Sequence, residues 1–321
     1  MKALIAALLL LAVCHAQTSG GVPKPPWARS SSKPATSPAD DATTFKVNVK
    51  LVNVFVTVTD EHGAPVSNLQ KENFQLSEDD HPQKISVFDR ESELPLSIVL
   101  DIDTSLSTRK DLPLELNSAR RFVHAILRPV DSLSLYEFSE TVNEVVPFTD
   151  DLKTIDRGIN SLRPGAATAL YDALFLGASA LEDRQGRKVM VVITDGGDTA
   201  SRTDYKEALR AAQQAEAIVY SVIIVPIEAS AGRDTGGEHA LIQIAEDTGG
   251  KYFYATSIAQ LDLAFRAISD ELRTQYLLAY YPTPRLADSD FRRIEVKLTG
   301  TPDSVKYQSR HRAGYYTSKS H

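Results

Sequence analysis

The sequence predicts an α/β protein: a doubly wound, mostly parallel sheet inserted in, or flanked by, a β-sandwich made from strands of both chain ends. Three observations predict it. Between 93 and 274, short apolar runs alternate with amphipathic helical patterns, as repeated βα units do. Over 44–92 and 275–318 the pattern is β instead, with strand-length runs separated by turn residues. The run Leu96-Ser97-Ile98-Val99-Leu100 then breaks off into Asp101-Ile102-Asp103-Thr104-Ser105-Leu106-Ser107. It puts carboxylates and hydroxyls at a strand's carboxyl end, where open α/β sheets take their ligands.

At the N-terminus, 1–16 reads as a signal peptide, with Lys2 ahead of an apolar run too short to span a bilayer. Cys14-His15-Ala16 suits cleavage before Gln17. Leu11-Ala12-Val13-Cys14 approaches a lipoprotein box and would leave a lipid anchor at Cys14, but Val13 is larger than that box prefers, so simple cleavage is favoured. Either route makes the mature protein secreted, periplasmic or attached to the cell envelope. No other segment is apolar enough for a transmembrane helix. Cys14 is the single cysteine, so no disulfide framework exists. Residues 17–43 are rich in Pro, Ser and Thr and read as a disordered spacer. Trp27 reads as incidental to it.

The β pattern follows. Val47, Val49 and Leu51 alternate in one phase and Val52, Val54, Val56 and Val58 in the other, which predicts a bulge or a change of face. Asp60-Glu61-His62-Gly63 is a turn, with short strands at 74–76 and 85–88. These strands resemble part of an immunoglobulin-like sandwich, yet are too few to close one. The missing strands are read at 276–281, 293–298 and 305–307, so 93–274 becomes an insertion between two halves of one sandwich.

Within the insertion the spacing predicts helices over 111–127, 152–162, 168–181, 205–216 and 238–247, and a final one striped by Leu261, Ala264, Phe265, Ile268 and Leu272. Strands fall at 132–138, 144–148, 189–193, 218–225 and 252–254.

The chemistry lies at the strand ends. Asp103, Ser105 and Ser107 are hard oxygen donors suited to Mg²⁺ or Mn²⁺, but three ligands do not complete an octahedron. Gly165-Ala166-Ala167-Thr168 offers Thr168 at a helix mouth, and Val191-Val192-Ile193-Thr194-Asp195-Gly196 offers Asp195 at the end of a second buried strand. Helix caps and strand-to-turn corners explain each of these residues singly, but not the set.

Asp103, Ser105, Ser107, Thr168 and Asp195 together resemble the metal-ion-dependent adhesion site (MIDAS) of von Willebrand factor A domains, which are Rossmann-like. The whole layout is similar to an A-domain-related family described mainly from Acidobacteria. Val66-Ser67-Asn68-Leu69 with Phe74, Gln83-Lys84-Ile85, and Tyr276-Leu277-Leu278-Ala279-Tyr280-Tyr281-Pro282 carry that closer match. The resemblance implies a bacterial adhesion module, not an enzyme, that captures a protein partner when an exposed acidic side chain enters the open coordination position. It further implies that the two serine hydroxyls bind the metal directly, that one Asp acts through water, and that capture can shift the Thr168 loop and the last helix. The second acidic metal site of integrin-type domains is placed in doubt by Arg109-Lys110.

Two other functions compete with this one. Asp101-Ile102-Asp103-Thr104 resembles the nucleophile motif of haloacid-dehalogenase-like phosphatases, with Asp101 attacking phosphorus and Asp103 as acid/base. Ser105 is unusual for that motif, Asp198 and Asp204 stand one residue too far apart, and Ser107, Thr168 and Asp195 are left without a role. A scaffold whose metal only stabilises the fold is the other. Asp101 itself shares a strand face with Asp103. It fits either an acceptor for a hydroxyl or metal-bound water, or a charge paired with a nearby Arg or Lys. With 42 acidic against 35 basic side chains, the chain lacks the basic field of a nucleic-acid binder. Its seven histidines show no metal-ligand spacing, and no Gly-x-Ser-x-Gly elbow or phosphate loop occurs. The tail residues Arg292, Arg293, Lys297, Lys306, Arg310 and Arg312 read as a solvated strand face, or as a face for an acidic envelope polymer.

Overall fold

Among the described residues the first strands are β1 (Val52–Thr59), β2 (Phe74–Glu78), β3 (His81–Gln83) and β4 (Val87–Arg90). β1 turns through Asp60, whose carboxylate accepts from the backbone N–H groups of His62 and Ala64, while Gly63 adopts φ +80°. The computed structural model describes residues 51–90, 93–105, 112–195, 197–225, 235–283, 290–300 and 306–317. The leader with Cys14, the spacer with Trp27, the phase change before β1, Ser107 and Arg109-Lys110 lie outside them.

The α/β layer follows. Its strands are β5 (Leu96–Asp103), β6 (Ser132–Phe138), β7 (Val142–Thr149), β8 (Arg187–Thr194), β9 (Ile218–Ile224) and β10 (Lys251–Ala255). Between them lie α1 (Leu112–Ile126), α2 (Leu152–Ser161), α3 (Leu170–Leu181), α4 (Tyr205–Gln214), α5 (Thr235–Thr248) and α6 (Ile258–Thr274). The sheet order is β10-β9-β8-β5-β6-β7, parallel throughout except for β7, which forms a hairpin with β6. All eight residues of β5 are buried, as a central strand covered on both faces requires. One face carries Ile98, Leu100 and Ile102 against α1, α2 and α6. The other carries Val99, Met190 and Val192 against α3, α4 and α5. This is the doubly wound architecture expected.

Local chemistry sets the helix ends. Asp151 caps α2, Asp204 forms a capping box with Glu207 on α4, and Ser257 caps α6. Gly249, at φ +82°, ends α5, and the N–H of Gly250 returns to the carbonyl of Ala245. From β5 the chain winds one way to β6 and later the other way to β8. The reversal falls between β5 and β8, and Asp103 and Asp195 lie at its carboxyl edge.

The chain closes with β11 (Tyr276–Tyr280), β12 (Phe291–Leu298), β13 (Gln308–Arg310) and β14 (Gly314–Tyr316). β11, β12 and β13 pair antiparallel with the N-terminal strands and β14 with β12, giving two four-stranded sheets, β13-β1-β11-β4 and β14-β12-β2-β3. Both sheets contribute to one apolar cluster, including Val54, Val56, Phe74, Tyr276, Leu278 and Val296. β4 begins two residues later than its apolar pattern, and the strand read at 305–307 is instead Gln308–Arg310. That segment has no apolar alternation; pairing with Thr57–Thr59 of β1 makes it a strand. The short β3 and β14 carry too little pattern to be read in advance.

The tail arginines are largely internal. Arg292 is buried with Nη1 2.9 Å from Glu78, whose carboxylate also accepts from Tyr280 and Tyr315. Arg310 pairs with Glu271 at 2.7 Å and Arg312 with Glu216 at 3.1 Å. Arg293 and Lys297 are exposed, but each meets an acid, Asp80 and Glu295. Neither a solvated strand face nor a free basic face describes most of this tail. Among the described residues no helix is long and apolar enough to cross a membrane.

Candidate metal centre

Asp103 is the last residue of β5 and is 1% exposed. One carboxylate oxygen accepts the N–H of Ser105 at 2.8 Å; the other accepts the hydroxyl of Thr194, the last residue of β8, at 2.6 Å. Neighbouring parallel strands therefore hold the carboxylate between them. Ser105 is also buried. The intervening Thr104 donates its N–H to the Phe138 carbonyl at the end of β6, and its own carbonyl accepts the N–H of Gly165 at 2.7 Å. That bond docks the loop between α2 and α3 onto the β5 loop.

Thr168 sits on this docked loop and is 6% exposed. Its N–H reaches the Thr199 hydroxyl at 3.0 Å, and its carbonyl accepts from the N–H groups of Thr199 and Ala200. Backbone bonds thus place Thr168, and its side chain is not needed to hold the loop. On the far side, the Glu140 carboxylate accepts the N–H of Ala166 at 2.7 Å. Asp195 follows Thr194 directly and is half-buried. Asp103, Ser105, Thr168 and Asp195 stand on three interlocked loops at one edge of the sheet.

Electrostatics at this edge follow from burial. Desolvation pushes the Asp103 carboxyl up to about 6, and the Asp195 charge adds to the rise; hydrogen bonds from Thr194 and Ser105 oppose it. A buried carboxylate, buried hydroxyls and a second carboxylate make a hard-oxygen donor set that fits Mg²⁺ or Mn²⁺. No group of three or more His, Cys, Asp and Glu side chains suited to a metal occurs among the described residues, so a cation here relies on hydroxyl oxygens as well.

Asp101 stands apart. It is fully buried, on the sheet face that meets α3, and neither carboxylate oxygen has a hydrogen-bond partner among the described residues. It packs at Gly177, where an added Cβ would lie 3.2 Å from its Oδ2. Burial raises its pKa well above that of a free aspartate, because the charged form is cut off from water. Among the described residues no Arg or Lys pairs with it, and a nucleophile in this position would have no approach to a phosphoester. The late acids of the phosphatase motif are otherwise engaged. Asp198 accepts from the Tyr171 N–H and the Ser201 hydroxyl, and Asp204 caps α4.

Sequence reasoning misses Thr194, Glu140 and the brace formed by Asp172, which accepts the N–H groups of Arg202 and Thr203. Thr194 has a readable signal, as the hydroxyl residue just before Asp195 at the strand end. Glu140 and Asp172 have none, since their partners are 26 to 31 residues away.

Residues 98–198 match the family model of the von Willebrand factor type A domain, which is thereby shown for that segment. A search of curated proteins finds no match. Among solved structures, a von Willebrand factor type A protein from Catenulispora acidiphila is 11% identical, with a TM-score of 0.50 over 84% of this chain and 75% of its own. The conserved hypothetical protein BatB from Bacteroides thetaiotaomicron is 21% identical, with a TM-score of 0.45 over 56% of this chain and 100% of its own. The von Willebrand domain of the type V pili tip protein Mfa5 from Porphyromonas gingivalis is 14% identical, with a TM-score of 0.43 over 55% of this chain and 94% of its own. At such identities the likeness is one of fold.

Proposed function

We propose that this chain is a secreted or envelope-bound bacterial adhesion module that captures an acidic side chain of a protein partner through a Mg²⁺ or Mn²⁺ site. Asp103, Ser105, Ser107, Thr168 and Asp195 hold the cation. The observation that carries the reading is the Asp103 carboxylate, gripped by Ser105 and Thr194 at the reversal point between β5 and β8. The cation supplies an open position for an oxygen anion. Asp103 and Asp195 bring two formal charges, while the hydroxyls add none, so the ion stays attractive to a carboxylate from outside. Thr168 serves that position from a loop fixed by its backbone. Asp101 lies buried beneath the site, on the same strand as Asp103. The layout also supports the closer kinship to the secreted A-domain-related family of Acidobacteria.

Binding, rather than catalysis, is the function this arrangement supports, because carboxylate and hydroxyl oxygens gathered at one sheet edge suit a cation that takes up an oxygen anion from outside. Calorimetric titration of Mg²⁺ into the wild type and Asp103→Ala tests it, together with partner capture from envelope extract with and without EDTA. Metal uptake and capture should both disappear in Asp103→Ala. Equal affinity in the two proteins, or capture indifferent to EDTA, would end the reading. Retained capture with a metal-dependent melting temperature would favour the fold-stabilising scaffold.

A further inference from the structure

His311 lies between β13 and β14, with its ring on the stretch of β12 that β14 leaves unpaired. Its Nε2 accepts the Val296 N–H at 3.1 Å, and its Nδ1 lies 2.9 Å from the Arg312 carbonyl. Both partners are backbone groups of fixed character. A carbonyl only accepts, so Nδ1 carries the proton; an amide N–H only donates, so Nε2 must be bare. The ring is therefore locked as the neutral Nδ1–H tautomer. A second proton on Nε2 would set N–H against N–H and remove the bond to β12.

The ring sits within a strap, residues 308–316, which pairs at its two ends with β1 and β12 and lies against the α/β layer. Arg310 pairs with Glu271 of α6 and donates to the Gly250 carbonyl at 2.6 Å. Arg312 pairs with Glu216 and donates to the Asn53 carbonyl, and the Ala313 N–H reaches the Asp247 carbonyl at 2.8 Å. Tyr316 lies under Arg210, 4.9 Å from ring centroid to guanidinium. The contact is close: a Cβ on Gly249 would fall 2.5 Å from the Arg312 nitrogen.

We propose that His311 is an acid-sensitive clasp, and that protonating its ring releases the 308–316 strap from the α/β layer. The charged groups around it do not replace this trigger. Glu295 on β12 acts on the ring, but it is paired with Lys297 at 3.1 Å. Glu271 on α6 is held by Arg310 and lies 3.7 Å from Lys251 of β10; Glu216, before β9, is held by Arg312. Asp247 on α5 accepts from Gln243. Burial lowers the imidazole below its usual 6.5, against smaller upward pushes from the Arg312 carbonyl and Glu295. The sign follows: the closed strap excludes a proton that the open strap accepts. The clasp is fully closed above about pH 6.5, and its opening constant rises about tenfold per pH unit below that until the closed-state pKa is passed.

Hydrogen exchange of the full chain at pH 7.5 and 5.0, corrected for intrinsic rates, tests this in the wild type and in His311→Gln. Peptides covering 308–316 should lose protection at pH 5.0 in the wild type, by up to about thirtyfold, and stay unchanged in the variant. Equal protection at both pH values in the wild type overturns the proposal, as does equal acid release in His311→Gln. If the variant is already open at pH 7.5, nitrogen NMR of the wild type decides. A neutral Nδ1–H ring at pH 7.5, with the Val296 amide shifting at the ring's own midpoint below 6.5, upholds the clasp; a different tautomer, or a Val296 amide insensitive to pH, rejects it. None of this depends on the metal centre, and EDTA should leave it unaltered.

Discussion

Asp103→Asn should make the metal-free protein more stable, although it removes a proposed ligand. Burial and the Asp195 charge hold the Asp103 carboxyl at about 6, against 3.8 for a free one. A carboxyl whose folded pKa is raised contributes stability below its unfolded pKa and loses it as pH rises through the folded value. At pH 7.5 the charged group therefore costs about 3 kcal/mol, from a gap of about two pH units at about 1.4 kcal/mol each. The asparagine carries no charge, its carbonyl can still accept from Ser105, and its amide can donate to a rotated Thr194 hydroxyl. In EDTA at pH 7.5 the variant should melt roughly 6–12 °C higher, given about 2–4 °C per kcal/mol for a domain of this size. Below pH 3.8 the difference should vanish. Saturating Mg²⁺ should reverse the ranking, since about 1,000-fold excess over the dissociation constant adds about 4.1 kcal/mol to the wild type alone. Denaturation scans at pH 3.5 and 7.5, with EDTA and with Mg²⁺, measure all of this. An Asn variant less stable than wild type in EDTA at pH 7.5, or a gap that ignores pH, would refute the reasoning.

Thr168→Ala should weaken partner capture more than Mg²⁺ uptake, because the loop is held by its backbone and the carboxylates remain; parallel calorimetry and pull-downs separate the two. Arg292→Met should cost about 3–5 kcal/mol in urea unfolding, since it takes the guanidinium away from the buried Glu78 carboxylate. A fragment covering 93–274 should fold alone, with its own two-sided core, whereas 44–92 should not, because β1, β2 and β4 find their partners in β11 and β12. A well-dispersed NMR spectrum from the short fragment would contradict this.

Much of the fold was legible because its signals are local. The eight buried residues of β5, the apolar stripes of α1 and α6 and the caps at Asp151, Asp204 and Ser257 are properties of neighbouring residues. So was the chemistry of Asp103 and Asp195, since each ends an apolar run. The sequence also determined that the segments flanking the α/β layer are β, and that a hydroxyl-rich oxygen set follows the strand at Leu96–Asp103. What only the tertiary structure decided depends on partners far along the chain. Gln308–Arg310 is a strand because Thr57–Thr59 lies beside it, not because its own residues favour one. The basic tail is mostly a set of buried pairs because Glu78, Glu216 and Glu271 meet it from distant parts of the chain; the Arg292–Glu78 contact alone spans 214 residues. Thr194 grips Asp103 from 91 residues away, and the Asp101 carboxyl has its pKa raised because α3 closes over it at Gly177. A residue's type and its neighbours set what it can do; its desolvation and its distant partners set its charge, and those exist only once the chain has folded.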